Sequence, residues 1–158
     1  MAEMNYLEVE KLRKAWAKLI DDLHRETPIC WFGTITIRKD LTPEQAQTQL
    51  DLFLKELREG WLSKKQKGKG RNLLAIVATE FTGRFNNTPH YHVFIGGGTY
   101  SYKKMKYWER KAYLRLGLSR FTKYRYDSNA KWYLSKHIAH GAEIQVVYFP
   151  ASIKRKIG

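Results

Sequence analysis

Two β-rich runs separated by a short turn constrain this chain more than any other feature. The first, residues 73–81, reads Leu-Leu-Ala-Ile-Val-Ala-Thr-Glu-Phe; the second, residues 88–95, reads Thr-Pro-His-Tyr-His-Val-Phe-Ile and runs into Gly96-Gly97-Gly98. Between them Gly83-Arg84-Phe85-Asn86-Asn87 supplies turn chemistry, so the pair predicts a hairpin. The mostly apolar first run is that of a central strand. In the second, side chains alternate faces, so His90 and His92 project from one side while Tyr91 and Val93 project from the other. Two imidazoles held side by side on a rigid strand form half of a metal site. The same spacing also suits two polar residues on the solvated face of a half-buried strand. Glu80 ends the first strand, and hairpin register brings its carboxylate level with His90 and His92; its alternative is a strand-end charge paired with Arg84. Two imidazoles and a carboxylate leave open positions on an ion, which suits catalysis, and mixed N/O ligation accommodates Mn²⁺ or Mg²⁺, with Zn²⁺ less suited.

Around this hairpin the remaining elements fall in a definite order. Leu12, Trp16, Leu19, Ile20 and Leu23 recur at helical spacing, predicting an amphipathic helix over 6–24 that Thr27-Pro28 ends. Residues 29–38 predict a strand with Ile35 and Ile37 alternating. Thr42, Pro43 and Gln45 form a helix start, with Thr42 as N-cap and Gln45 completing a capping box. The helix that follows, 43–64, carries Ala46, Leu50, Phe53, Leu54, Leu57 and Trp61 on one face. A basic loop over 64–71 leads to the hairpin.

After the glycines a helix is expected over 102–116 with Gly117 as its stop, then a basic and aromatic strand over 119–126. Asp127 or Ser128 caps a helix running to about His140, and a last strand covers 142–149. The order β-α-β-β-α-β-α-β predicts an α+β fold: an antiparallel central sheet of about five strands with helices on one face, ferredoxin-like, plus an extra N-terminal helix. The expected organisation is a helical extension over 1–28, a main domain over 29–150 and a basic tail over 151–158.

The charge balance says what such a domain meets. Twenty-nine Lys and Arg against 15 Asp and Glu give a net charge of +14 in 158 residues, which implies a polyanionic partner, nucleic acid ahead of an anionic membrane. Aromatic content of 14% adds stacking surface for unpaired bases. The candidate phosphate contacts are Lys64, Lys65, Lys67, Lys69 and Arg71 in the loop, Arg120, Lys123 and Arg125 in the late strand, and Lys103, Lys104 and Lys106. Exposed lysines are also commonly just solvated. The lone Cys30 excludes an internal disulfide, and no apolar run reaches membrane-spanning length, so the expectation is an intracellular protein of cytoplasm or nucleus. There is no P-loop motif.

A second constellation, Lys131-Trp132-Tyr133-Leu134-Ser135-Lys136-His137, puts Tyr133, Lys136 and His137 on one helix face. A phenol is a poor nucleophile near neutral pH, but attacks a phosphodiester when a metal polarises the phosphate and a cation sits beside it. Lys136 offers that charge. The plainer alternative is a core aromatic and a solvated lysine.

With both constellations in this order, the sequence resembles the HUH endonucleases, and among them the rolling-circle replication initiators, or Rep proteins. Phe32-Gly33-Thr34-Ile35-Thr36 resembles their first-strand motif, His90-Tyr91-His92 their His-hydrophobe-His motif with Glu80 at the third-ligand position, and Tyr133-Leu134-Ser135-Lys136 their Tyr-x-x-Lys motif. The resemblance spans 29–149. It implies metal ligation by His90, His92 and Glu80, with Tyr133 and Lys136 catalytic. The implied reaction nicks single-stranded DNA at an origin, leaving a 5′-phosphotyrosine and a free 3′-hydroxyl, and rejoins strands at the same site. A helicase partner is expected from a further domain or from the host. Gly33 departs from the bulkier residues common in the first motif. Single-tyrosine HUH transposases differ in usually carrying Gln where this chain has His137. A non-catalytic RNA-recognition-like module, stacking bases on Trp31, Phe32, Tyr91, Tyr124 and Tyr126, is the reading from another class.

Overall fold

The computed structural model of the chain describes residues 5–62, 72–81, 89–125 and 143–147. Its described elements are α1 (Tyr6–Glu26), β1 (Ile29–Ile37), α2 (Pro43–Trp61), β2 (Leu74–Phe81), β3 (Pro89–Gly96), α3 (Tyr102–Arg115), β4 (Gly117–Lys123) and β5 (Glu143–Val147). The expected helix from 127 or 128 to 140, the basic loop 64–71 and the tail 151–158 lie outside the described residues.

The strands form one five-stranded sheet in the order β4-β1-β3-β2-β5. Each neighbouring pair is antiparallel. The fold is therefore α+β with a central antiparallel sheet, as the element order predicts. β3, which carries the histidines, lies at the centre between β1 and β2.

Helix starts follow the local chemistry. Thr42 and Gln45 exchange the two bonds of a capping box at 3.1 and 2.9 Å, with Pro43 in the first turn. Asn5 and Glu8 do the same for α1. The face of α2 read from its periodicity is the buried one: Ala46, Leu50, Phe53, Leu54, Leu57 and Trp61.

Strand alternation sorts the core into two layers. Trp31, Ile35 and Ile37 of β1, Tyr91, Val93 and Ile95 of β3, and Phe121 of β4 face α2 and α3. The other face carries Leu74, Ile76 and Ala78 of β2 and Phe94 of β3, and there Ile20 and Leu23 of α1 pack. The helices are thus not all on one face: α1 lies on the side opposite α2 and α3. Amphipathic periodicity shows that a helix has an apolar side but not which sheet face receives it.

Two glycines make close approaches possible. At Gly33 an added Cβ would stand 2.5 Å from Phe121 Cδ1, so its bare backbone lets the Phe121 ring lie flat and stack on Trp31 at 4.3 Å. Gly117 does not simply stop a helix. Its φ of +150° opens β4, and a Cβ there would fall 2.0 Å from the Thr36 carbonyl oxygen. β4 accordingly starts two residues before the predicted 119 and ends at Lys123 rather than 126, where β1 reaches its irregularity between Ile29 and Trp31. Likewise α2 ends at Trp61 rather than 64, and α3 at Arg115 rather than 116.

Candidate functional site

The hairpin register decides which side chains meet. β2 and β3 pair Glu80 with His90 and Ala78 with His92; β1 and β3 pair Thr36 with His90 and Thr34 with His92. All these side chains share parity, so Glu80, His90, His92, Thr34 and Thr36 lie on one sheet face, the face that α1 covers further along. His92 is buried, its side chain 4% exposed, and Glu80 is 18% exposed. The Glu80 carboxylate reaches His92 Nε2 at 3.1 Å.

The opposite ring nitrogens are approached from β1. Thr36 Oγ1 lies 3.3 Å from His90 Nδ1, and Thr34 Oγ1 lies 3.5 Å from His92 Nδ1. A hydroxyl at Nδ1 orients the ring and directs Nε2 away from β1. The Phe32 ring runs parallel to His92, 5° apart in plane at 6.3 Å, and touches the layer under α1. The site is thus braced by threonines on one side and apolar packing at one end.

Imidazole nitrogen with carboxylate oxygen is a donor set that suits a divalent ion of the Mn²⁺, Mg²⁺ or Zn²⁺ kind. Among the described residues no three His, Cys, Asp or Glu side chains already converge at ligand spacing. Glu80 instead faces His92 directly.

The remaining predicted residues separate. Arg120 pairs with Thr34 and is exposed, so it stands on the histidine face in the row Arg120, Thr34, His92. Lys123 has the opposite parity, and its Nζ lies 5.0 Å from the Tyr100 ring. Arg125 is exposed just beyond β4. Lys103, Lys104 and Lys106 belong to α3, across the sheet from the histidines. Tyr133, Lys136, Lys64, Lys65, Lys67, Lys69 and Arg71 lie outside the described residues.

Base stacking by a bare aromatic sheet does not fit this arrangement. Trp31 and Tyr91 are core residues under α2 and α3, and Tyr124 is buried against Phe94 and His24. Only Phe32 of the described candidates is part-exposed.

The sequence reading missed Thr34 and Thr36 as supports of the site. Their signal was present: with Ile35 and Ile37 facing the core, the threonines must face the other way.

Residues 30–141 match the replication-associated protein family of the ORF2 type, more than two thirds of the chain. The chain belongs to that family. This replication-associated protein takes its role in DNA replication, and DNA as its partner, from that membership. Glu80, His90, His92, Tyr133 and Lys136 fall inside the matched span, whereas α1 precedes it and β5 follows it. No curated protein and no solved structure matches the replication-associated chain. Among its described residues no helix is long and apolar enough to cross a membrane.

Proposed function

We propose that this replication-associated protein nicks and rejoins single-stranded DNA at an origin, starting rolling-circle replication as an HUH-type endonuclease. The observation that carries the reading is the register that gathers Glu80, His90 and His92 on one face of the sheet. His90, His92 and Glu80 would hold a divalent ion there, Mn²⁺ or Mg²⁺ in preference to Zn²⁺. When bound, that ion supplies Lewis-acid polarisation of the scissile phosphate.

The chain's own residues do the rest. Thr34 and Thr36 keep the imidazole Nδ1 atoms engaged, so the Nε2 atoms serve as ligands. Tyr133 attacks phosphorus through its phenolic oxygen; the new bond is Tyr–O–P, and the bond to the 3′ oxygen breaks. The 3′ oxygen takes up a proton and leaves as a free hydroxyl that primes synthesis. Lys136 provides the adjacent positive charge that makes phenolate attack feasible near neutral pH. The phosphotyrosine retains the phosphodiester bond energy, so the reverse attack by a 3′-hydroxyl rejoins strands. A helicase, in a further domain or from the host, would open the duplex ahead of synthesis. Membership of a replication-associated family favours this reading over a transposase.

Incubation with a labelled, randomised single-stranded library and Mn²⁺, followed by denaturation and sequencing of the nicked ends, tests it. The expected product is a protein–DNA adduct with a defined nick sequence. Tyr133→Phe should remove the adduct while binding persists; an adduct from that variant moves the nucleophile elsewhere. Cleavage unchanged in His90→Ala would discard the metal assignment.

A further inference from the structure

We propose that the outer surface of α3 is a second binding site for single-stranded DNA, on the side of the sheet away from the histidines. The inference rests on the DNA partner of the family and not on the nicking chemistry proposed above. Its first support is the distribution of charge among the described helices. α1 carries five acids and five bases, and α2 four acids and two bases. α3 carries Lys103, Lys104, Lys106, Arg110, Lys111 and Arg115 against the single acid Glu109. Glu109 is itself engaged, accepting from the Phe121 backbone N–H at 2.6 Å and from Lys106 Nζ at 3.1 Å.

The second support is aromatic exposure. Met105, Trp108 and Ala112 bury the inner side of α3. Tyr102, Tyr107, Tyr113 and Leu114 on its outer side are each more than half exposed. Lys103, Tyr107, Arg110 and Leu114 recur at successive turns, a stripe of about 16 Å that alternates cation with apolar surface. Lys111 Nζ lies 5.5 Å from the Tyr107 ring and Lys106 Nζ lies 5.8 Å from the Tyr102 ring, so charge and ring face occur together. Among the described residues Lys103 and Arg110 have no acidic partner.

Cations select a polyanion, and exposed rings between them select one with unpaired bases, because duplex bases keep their faces stacked on each other. A protein partner with an acidic surface would satisfy the cations alone. The route from the histidines is short. β4 is the edge strand beside β1, with Arg120 on the histidine face and α3 packed behind it. A strand leaving the histidine face over that edge crosses about 10 Å of sheet and about 10 Å of layer thickness before it meets α3. A strand long enough to bridge both surfaces therefore binds more tightly than one confined to the histidine face.

The test is fluorescence anisotropy of the full chain with oligothymidylates of about 10 and about 40 nucleotides, over a salt series. Wild type should bind the long strand at least tenfold more tightly than the short one, beyond the statistical gain from extra registers. Lys103→Glu with Arg110→Glu should abolish most of that preference and reduce the salt slope by about 1.4, about 0.7 for each phosphate no longer neutralised. Tyr107→Ser should weaken the long single strand several-fold and leave a duplex of equal length unchanged. Circular dichroism melts of the charge-reversed variant should match wild type, since neither side chain packs in the core. Wild-type affinity and slope in that variant would overturn the proposal. So would a Tyr107→Ser loss as large on duplex as on single strand. The adduct assay reports separately: its failure rejects the nuclease reading and leaves this surface standing.

Discussion

Glu80 pairs across the strands with His90, yet its carboxylate meets Nε2 of His92, the diagonal neighbour, at 3.1 Å. One carboxylate thus lies within reach of both imidazoles, which is the geometry a shared ligand requires. Glu80→Ala should lower stability by about 1–2 kcal/mol in the presence of EDTA, through loss of a partly buried hydrogen bond. With Mn²⁺ at about 100 times its dissociation constant, wild type should gain about 2.7 kcal/mol, and the variant clearly less. Thermal melts with and without Mn²⁺ measure both. Equal gains in the two proteins would remove Glu80 from the ligand set.

Thr36 tests the outer support of the same site. Thr36→Val keeps the shape but takes away the hydroxyl 3.3 Å from His90 Nδ1. Mn²⁺ affinity, followed by electron paramagnetic resonance of the free ion, should fall about tenfold. The melting curve in EDTA should hardly move. A large loss of stability with affinity intact would make Thr36 a purely structural residue.

Gly33 explains a departure from the expected motif by packing. A methyl group there meets Phe121 Cδ1 at 2.5 Å and displaces the ring from Trp31. Gly33→Ala should cost about 1–3 kcal/mol, a drop of several degrees in Tm. Combined with Phe121→Leu, the loss should be smaller than the two single losses added, because the smaller side chain relieves the collision. Strict additivity would place the cost of Gly33→Ala elsewhere.

The pH dependence follows from two buried acids. Burial pushes the Cys30 thiol from 9.0 up to about 11. Burial, with the Asp51 charge adding to it, pushes the Tyr91 phenol from 10.0 up to about 12. In each case the folded state retains a proton that the unfolded chain releases, so the contribution is full below pH 9 and is lost as pH rises through 11 and 12. Urea midpoints should therefore fall from about pH 9 upward. Cys30→Ala should delay the onset of that fall towards about pH 10, and an unchanged onset would rule out the thiol as its source. At about pH 8, Cys30 should resist alkylation in the folded protein and react on unfolding.

Much of this was legible from spacing alone. His90 and His92 share a face because strand parity is a covalent fact, and Thr42-Pro43-x-Gln45 announces a helix because its capping groups are local. The docking of α1 on the histidine face was not legible, since its apolar stripe fits either side of a sheet equally well. Trp31 and Phe32 illustrate a different limit. As neighbours on one strand they cannot share a face, and Trp31 belongs to the layer under α2 and α3 while Phe32 faces the histidines. Composition counts both as aromatic surface; only the fold separates them. Gly33 was visible as an anomaly, but its reason, the Phe121 ring, is 88 positions away in sequence.

Gly117 touches no side chain of the candidate site, but its backbone stands so close to the Thr36 carbonyl that any side chain would force β4 and β1 apart. Thr36 in turn holds His90. Positions that tolerate least change in this protein therefore need not be the reactive ones. A mutational scan should find Gly117 as intolerant as the histidines, and the two sorts of failure distinguishable only because ligand-free melts collapse for the glycine and survive for His90.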